Sequence, residues 1–299
     1  MAEPQIVRSL VFLGGHDRER IRRIAEAGPD AICIDLEDST PVAAKRSARE
    51  QFREVATEIA AAGPLVFLRT NLPGAGMEQD LAMCLCAAVH CVSLPKVERG
   101  EAVRDFAVAV ADEEARQGLP VGGTLIRPII ETAQGVRNAY DIASASALVT
   151  YLGGVEGGIF GDLGGSIGYE QTDDGRETLF LRSKVLIDAR AAGVPHPIGG
   201  GSTARKDADG ARVFARENRI LGYDGVHCAP SPDVIAAVNE EFTPRTADLD
   251  AWLEILPTLE AAEAEGLSVA HVGDTVYDLI GLVRVRSQLA LARRLGMLV

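Results

Sequence analysis

Short apolar runs rich in β-branched residues alternate along the chain with longer stretches in which apolar residues recur at helical spacing. The runs lie at 9–14 (SLVFLG), 31–37 (AICIDLE), 65–71 (LVFLRTN), 90–96 (HCVSLPK), 124–131 (TLIRPIIE), 148–153 (LVTYLG), 194–199 (VPHPIG) and 223–229 (YDGVHCA). Between them lie amphipathic segments such as 17–27 and 41–61, and Gly or Pro punctuates the joins at Gly28-Pro29, Gly63-Pro64 and Gly118-Leu119-Pro120. Near-continuous apolar strands alternating with helices predict a parallel sheet buried on both faces, and eight such units predict an α/β (β/α)8 TIM barrel. A doubly wound open sheet is the rival, but LGGHDRER after the first run does not fit the GxGxxG phosphate loop. The barrel is assigned to residues 1–235. Residues 236–299 are expected to form a C-terminal helical extension, with helical periodicity over 247–265 and 278–295 separated by a Gly-containing turn. Such an extension would cap the barrel mouth or contact a neighbouring subunit.

The 299 residues are 47% apolar and 24% charged, which excludes disordered and fibrous classes. A net charge of −13 repels phosphate backbones and anionic lipid, so neither nucleic acid nor membrane is an expected partner. No apolar run approaches bilayer length and the N-terminus does not read as a secretory signal, so the expected location is cytoplasmic. The five cysteines show no CxxC spacing and sit mostly in apolar runs, as buried thiols do.

Active sites of such barrels lie at the carboxyl ends of the strands. Those ends carry Glu37 and Asp38, Arg69, Lys96 and Glu131, and the glycine-rich loop after the sixth run carries Glu156 and Asp162. Oxygen donors without histidine suit a hard cation such as Mg2+. Glu131 ends the run LIRPII, where an unpaired charge is costly. Glu37 and Asp38 read either as site residues or as helix-start acids favoured by the dipole. Arg69 reads as a fork for a substrate carboxylate or as a structural ion pair with Glu37 or Asp38. Asp162 competes with a turn role. His16 and the RERIRR cluster read more simply as polar surface.

In order, RSLVFLGG, DAICIDLEDSTPVAAKRSAR, FLRTN, SLPKVE, RPIIETAQGVRNAYDIA, LRSKVLIDARAAGV, LGYDG and VNEEFTP resemble the HpcH/HpaI aldolase and citrate lyase β-subunit family, in particular its acyl-CoA lyase branch. The resemblance spans nearly the whole chain. It implies a Mg2+-dependent carbon–carbon lyase (Mn2+ an alternative) acting on a small 2-oxo acid and an acyl-CoA. It makes Glu131 a metal ligand and gives Arg69 the tasks of holding the oxo acid and stabilising the enolate, formed on the thioester or the oxo acid. Glu37, Asp38 and Lys96 join the substrate site. It also makes Asp278 an acid or base supplied by a neighbouring subunit, hence a homo-oligomer, a trimer or hexamer.

The chain departs from the family pattern at two places. The family has an Ala-Glu-Asp-Phe segment after strand 6, where an ungapped match puts Gly157 and Gly158 on the Glu-Asp pair. With a small gap, IFGDLGGSIG resembles the aldolase-branch loop, which makes Asp162 the second metal ligand and Glu156 the reserve. Near strand 8 the family's Lys and Ile-His-Pro give way to Val226-His227-Cys228-Ala229-Pro230. Two further readings therefore stand beside the acyl-CoA lyase. One is a CoA-independent aldolase for 4-hydroxy-2-oxo acids, and the other is an inactive family member serving as a subunit.

Overall fold

The computed structural model describes residues 4–154, 162–172, 175–201 and 207–298. The chain divides after Phe242 into two units. The first is a closed parallel barrel of β1 (Ser9–Gly14), β2 (Ala31–Asp35), β3 (Leu65–Arg69), β4 (Val89–Leu94), β5 (Leu125–Ile130), β6 (Gly153–Gly154), β7 (Ile198–Gly199) and β8 (Gly225–His227), with β8 pairing β1. The helices between them include α1 (Arg18–Ala25), α2 (Lys45–Ala62), α3 (Met77–Cys84), α4 (Gly100–Arg116), α5 (Ala133–Arg137) and α6 (Ala139–Ala143). They continue as α7 (Asp162–Ile167), α8 (Arg176–Ala191), α9 (Ala208–Leu221) and α10 (Pro232–Phe242). This is the (β/α)8 barrel expected from the alternation. The expected boundary at 235 cuts through α10, whose Val234, Ile235 and Val238 are buried in the main core.

Alternate residues of each strand face opposite sides. Val11, Ile32, Ile34, Val66, Leu68 and Val92 point out to the helices in the main core, whereas Leu10, Ala31, Cys33, Phe67, Cys91 and Leu125 fill the barrel interior. The register aligns Phe12, Cys33, Phe67, Cys91 and Leu125 in one apolar row. Two residues further along, it aligns Gly14, Asp35, Arg69, Ser93 and Arg127 in a polar one. The Arg69 and Arg127 guanidinium carbons lie 5.2 and 5.5 Å from the Phe12 ring centroid, a cation–π pair of contacts between the two rows.

The last three strands are shorter than the apolar runs that announced them, and glycine sets their spacing. A Cβ on Gly225 would stand 1.8 Å from the Val7 carbonyl oxygen, so only glycine lets β8 close on the start of the chain. At the amino-terminal pole the Tyr151 hydroxyl donates to the Gln5 carbonyl (2.9 Å) and lies 3.1 Å from His90 Nε2. Nearby, His196 Nδ1 is 3.0 Å from Asp224 Oδ2, and Arg8 forks onto Asp30. Cys33, Cys84, Cys91 and Cys228 are buried, and burial pushes the Cys33 and Cys228 thiols up to about 12, so they stay protonated.

The second unit holds α11 (Thr246–Ala264) and α12 (Leu282–Arg294), as periodicity predicts. The turn expected between them is instead a hairpin, β9 (Val269–Val272) and β10 (Thr275–Asp278). Gly273 at φ +58° and Asp274 form its two-residue connection between β-branched flanks. The final helix therefore begins at Leu282 rather than 278. Among the described residues no helix is long and apolar enough to cross a membrane.

Candidate active site

β2 stops at Asp35 because its carboxylate accepts the backbone N–H groups of Glu37 (2.8 Å) and Ser39 (2.8 Å), folding the chain into a turn. Asp35 has the inward parity of Cys33 and stands opposite Arg69 in the β2–β3 register. It is fully buried and receives Arg69 as a two-pronged pair, Nε to Oδ1 at 2.7 Å and Nη2 to Oδ2 at 2.5 Å. Burial alone would raise the Asp35 pKa, but the hydrogen bonds and charge of Arg69 more than offset it and hold it below the usual carboxylate range. Burial disfavours the Arg69 charge in turn, yet Asp35, Glu131 and Glu37 push its pKa up.

Only the third guanidinium nitrogen faces the mouth. Arg69 Nη1 lies 3.2 Å from Glu37 Oε2, 3.6 Å from Glu131 Oε1 and 4.0 Å from Asp38 Oδ2. Of the two readings of Arg69, a fork for a substrate carboxylate or an ion pair with Glu37 or Asp38, the structure turns the two-nitrogen fork inward onto Asp35 and leaves one nitrogen, paired with Glu37, facing outward.

Glu131 follows β5 and is 8% exposed; its Oε2 accepts the Lys96 backbone N–H at 3.0 Å. The Lys96 ammonium contacts Glu37 Oε1 at 2.7 Å, Asp38 Oδ2 at 3.2 Å and Asp162 Oδ2 at 3.3 Å. Burial lowers its pKa, but Glu37 and Asp38 raise it further, so the group is charged. Burial and the neighbouring Asp38 raise Glu37, while Asp38, despite its own partial burial, is lowered by Glu37 and Lys96. Asp162 opens the short helix α7, which the Ser166 hydroxyl ties to α5 by accepting the Ala133 N–H at 2.9 Å. Its side chain is 46% exposed.

One mouth therefore gathers Glu37 and Asp38 after β2, Arg69 of β3, Lys96 after β4, Glu131 after β5 and Asp162 of α7, above the buried Asp35. The HpcH/HpaI aldolase/citrate lyase family model matches residues 8–231. The chain belongs to this family. The citrate lyase subunit beta-like protein of Deinococcus radiodurans is 31% identical over 294 residues, covering 97% of this chain and 98% of its own. The mitochondrial citramalyl-CoA lyase of Mus musculus is 29% identical over 256 residues, covering 83% and 75%. The structure of CitE from Mycobacterium tuberculosis with magnesium, acetoacetate and coenzyme A matches with a TM-score of 0.66 at 22% identity, over 97% of this chain and all of that one, a likeness of fold. As an HpcH/HpaI family member the chain is a carbon–carbon lyase.

Of the residues the sequence singles out, Glu37, Asp38, Arg69, Lys96, Glu131 and Asp162 meet at this mouth. Asp278 ends β10 in the second unit and is exposed, while Glu156 lies outside the described residues. Asp35 is the residue that the sequence reading left out of the site, although its parity with Cys33 and its place opposite Arg69 mark it.

The donor set fits a hard dication. Among the described residues no three His, Cys, Asp or Glu side chains are placed as a ready metal cage. Mg2+ does not need one, because it binds through one or two carboxylates and completes its shell with water and substrate oxygens. Glu131 accepts the Lys96 backbone N–H and Asp162 faces the Lys96 ammonium, so a cation already sits beside Asp162.

Arg69→Lys is expected to lower both turnover and substrate affinity by more than about tenfold, since an ammonium cannot hold Asp35 with two nitrogens and present a third. Steady-state kinetics of the purified variant checks this; near-normal constants would make Arg69 purely structural.

Proposed function

We propose that the chain is a Mg2+-dependent lyase that reversibly cleaves a 3-hydroxyacyl-CoA of the malyl-, methylmalyl- or citramalyl-CoA type. The products are an acyl-CoA and a 2-oxo acid, glyoxylate or pyruvate. The observation that carries this reading is the meeting of Glu131, Asp162 and the outward Nη1 of Arg69 at one barrel mouth, in a chain of this family. The kinship with citramalyl-CoA lyase supports the substrate class. Glu131 and Asp162 would hold the ion, which when bound supplies Lewis-acid polarisation of the oxo acid's oxygens.

The protein's own part follows from its geometry. Asp35 locks the guanidinium so that Nη1 of Arg69 faces the substrate, where it binds the oxo-acid carboxylate and stabilises the enolate formed as the carbon–carbon bond breaks. Glu37 and Asp38 line the same mouth and orient the Lys96 ammonium toward substrate oxygens. Asp278 of a neighbouring subunit, within a homotrimer or hexamer, takes the hydroxyl proton in cleavage and delivers it to the enolate carbon to complete the acyl-CoA, with the reverse transfer in condensation.

Turnover of citramalyl-CoA and malyl-CoA, with and without EDTA, tests the reading. Activity that needs both the thioester and the metal supports it. A CoA-independent aldolase is the second reading, favoured by the Val226-His227-Cys228-Ala229-Pro230 segment; cleavage of free 4-hydroxy-2-oxo acids without CoA would select it. For the shared site, Asp278→Ala and Glu131→Gln chains refolded together should regain a fraction of activity that neither has alone. No recovery in a mixture shown by mass spectrometry to contain hetero-oligomers would refute the shared site.

A further inference from the structure

Lys96 is the one non-glycine among the described residues with a left-handed backbone, at φ +52°. That conformation is unfavourable for an L residue and persists where the surroundings enforce it. Here it lets one residue act in two directions. The backbone N–H fixes Glu131 Oε2, and the side chain crosses the mouth to Glu37, Asp38 and Asp162.

The charges at the mouth explain why a cation is needed there. Arg69 is shared among Asp35, Glu37 and Glu131, while Glu37, Asp38 and Asp162 all face the Lys96 ammonium. Without it the acids would repel one another. A dication bound to Asp162 would stand close to an ammonium 3.3 Å from the same carboxylate, and the repulsion between the two cations favours displacing the ammonium. The flexible four-carbon stem lets the ammonium leave, whereas the backbone contact to Glu131 stays.

We propose that the Lys96 ammonium is a built-in counter-cation of the metal site. It bridges Asp162 to Glu37 and Asp38 when no metal is bound, and is displaced from Asp162 when the ion enters. The inference rests on the proposed metal role of Glu131 and Asp162. It extends that role by making metal entry an exchange of one cation for another, which weakens metal binding and releases the lysine toward substrate.

Calorimetric titration of Mg2+ into the full-length wild type, Lys96→Met and Lys96→Arg tests it. Lys96→Met should bind Mg2+ about tenfold more tightly, the size expected for removing a unit charge several ångströms from a dication in a water-like dielectric. Lys96→Arg, which keeps the competing charge, should stay within about twofold of wild type. Unchanged or weaker binding by Lys96→Met overturns the inference while leaving the metal site standing. A wild type that binds no Mg2+ overturns both. Should Lys96→Met fail to fold, amine acylation of the wild type read by peptide mass spectrometry decides the matter. Modification at Lys96 should rise several-fold on adding Mg2+, and no rise overturns the inference.

Discussion

Glu131→Gln is expected to abolish metal-dependent turnover, by about a hundredfold or more, while the barrel still folds. The amide oxygen of glutamine can still accept the Lys96 N–H, so the local hydrogen bond survives the change. What disappears is a negative charge at the end of β5, close to Arg69 Nη1 and reaching the mouth with only 8% exposure. A hard dication loses most of its attraction to a neutral amide, whereas Arg69 keeps its partner in Asp35. Turnover with and without EDTA, measured beside thermal unfolding, separates chemistry from folding. Wild-type rates in the variant, or full wild-type activity in EDTA, would sink the metal mechanism.

Asp35→Asn should have the larger effect on stability, lowering it by about 3–5 kcal/mol, as breaking one side of a buried ion pair does. Asp35 accepts two bonds from Arg69 and one each from the Glu37 and Ser39 backbones, with no solvent access. Asparagine leaves the Arg69 charge in place and presents an NH2 group to one of its nitrogens. Activity should fall with stability, since Nη1 is aimed only as long as the other two nitrogens are anchored. The pH dependence carries a sign. The folded-state pKa of Asp35 is depressed, so its stabilisation is fully present above the ordinary carboxylate value of about 4 and is lost as pH falls through the lowered one. Denaturant unfolding across that acid range should show the wild type losing stability on acidification along a limb that Asp35→Asn lacks. A variant within about 1 kcal/mol of wild type, with the same acid limb, would remove Asp35 from this role.

The eight barrel strands were legible because strands buried on both faces are mostly apolar along their length, which stands out against amphipathic helices. Their ends were less so. The run 31–37 continues past the strand because Leu36 is buried too, and nothing in its composition shows that the Asp35 carboxylate folds the chain back. Inside the barrel, parity carries what apolarity does not. Arg127 sits in LIRPII, fully buried, and Asp35 sits two positions after Cys33, each on the inward face. Position brought the mouth residues forward but left Glu37 and Asp38 between the site and a helix start, since a polar residue just after a strand serves either. Asp162 was found by motif, and its α7 setting is set by the Ser166 tie to Ala133, which no local pattern announces. The β9–β10 hairpin was missed because its alternation is short and lies between two strong helical periods, although Gly273-Asp274 between β-branched residues is a turn signal.

The ties at the amino-terminal pole have a consequence for redesign. Gln5, His90, Tyr151, His196 and Asp224 close the end of the barrel opposite the acids, through bonds that join residues up to 146 positions apart. Adapting the enzyme to a longer or more branched substrate calls for exchanging loops at the other end. Those grafts leave every one of these bonds intact, so the scaffold can absorb repertoire changes without a compensating search through its base. Libraries that randomise the basal residues, by contrast, would sample stability and return little new selectivity.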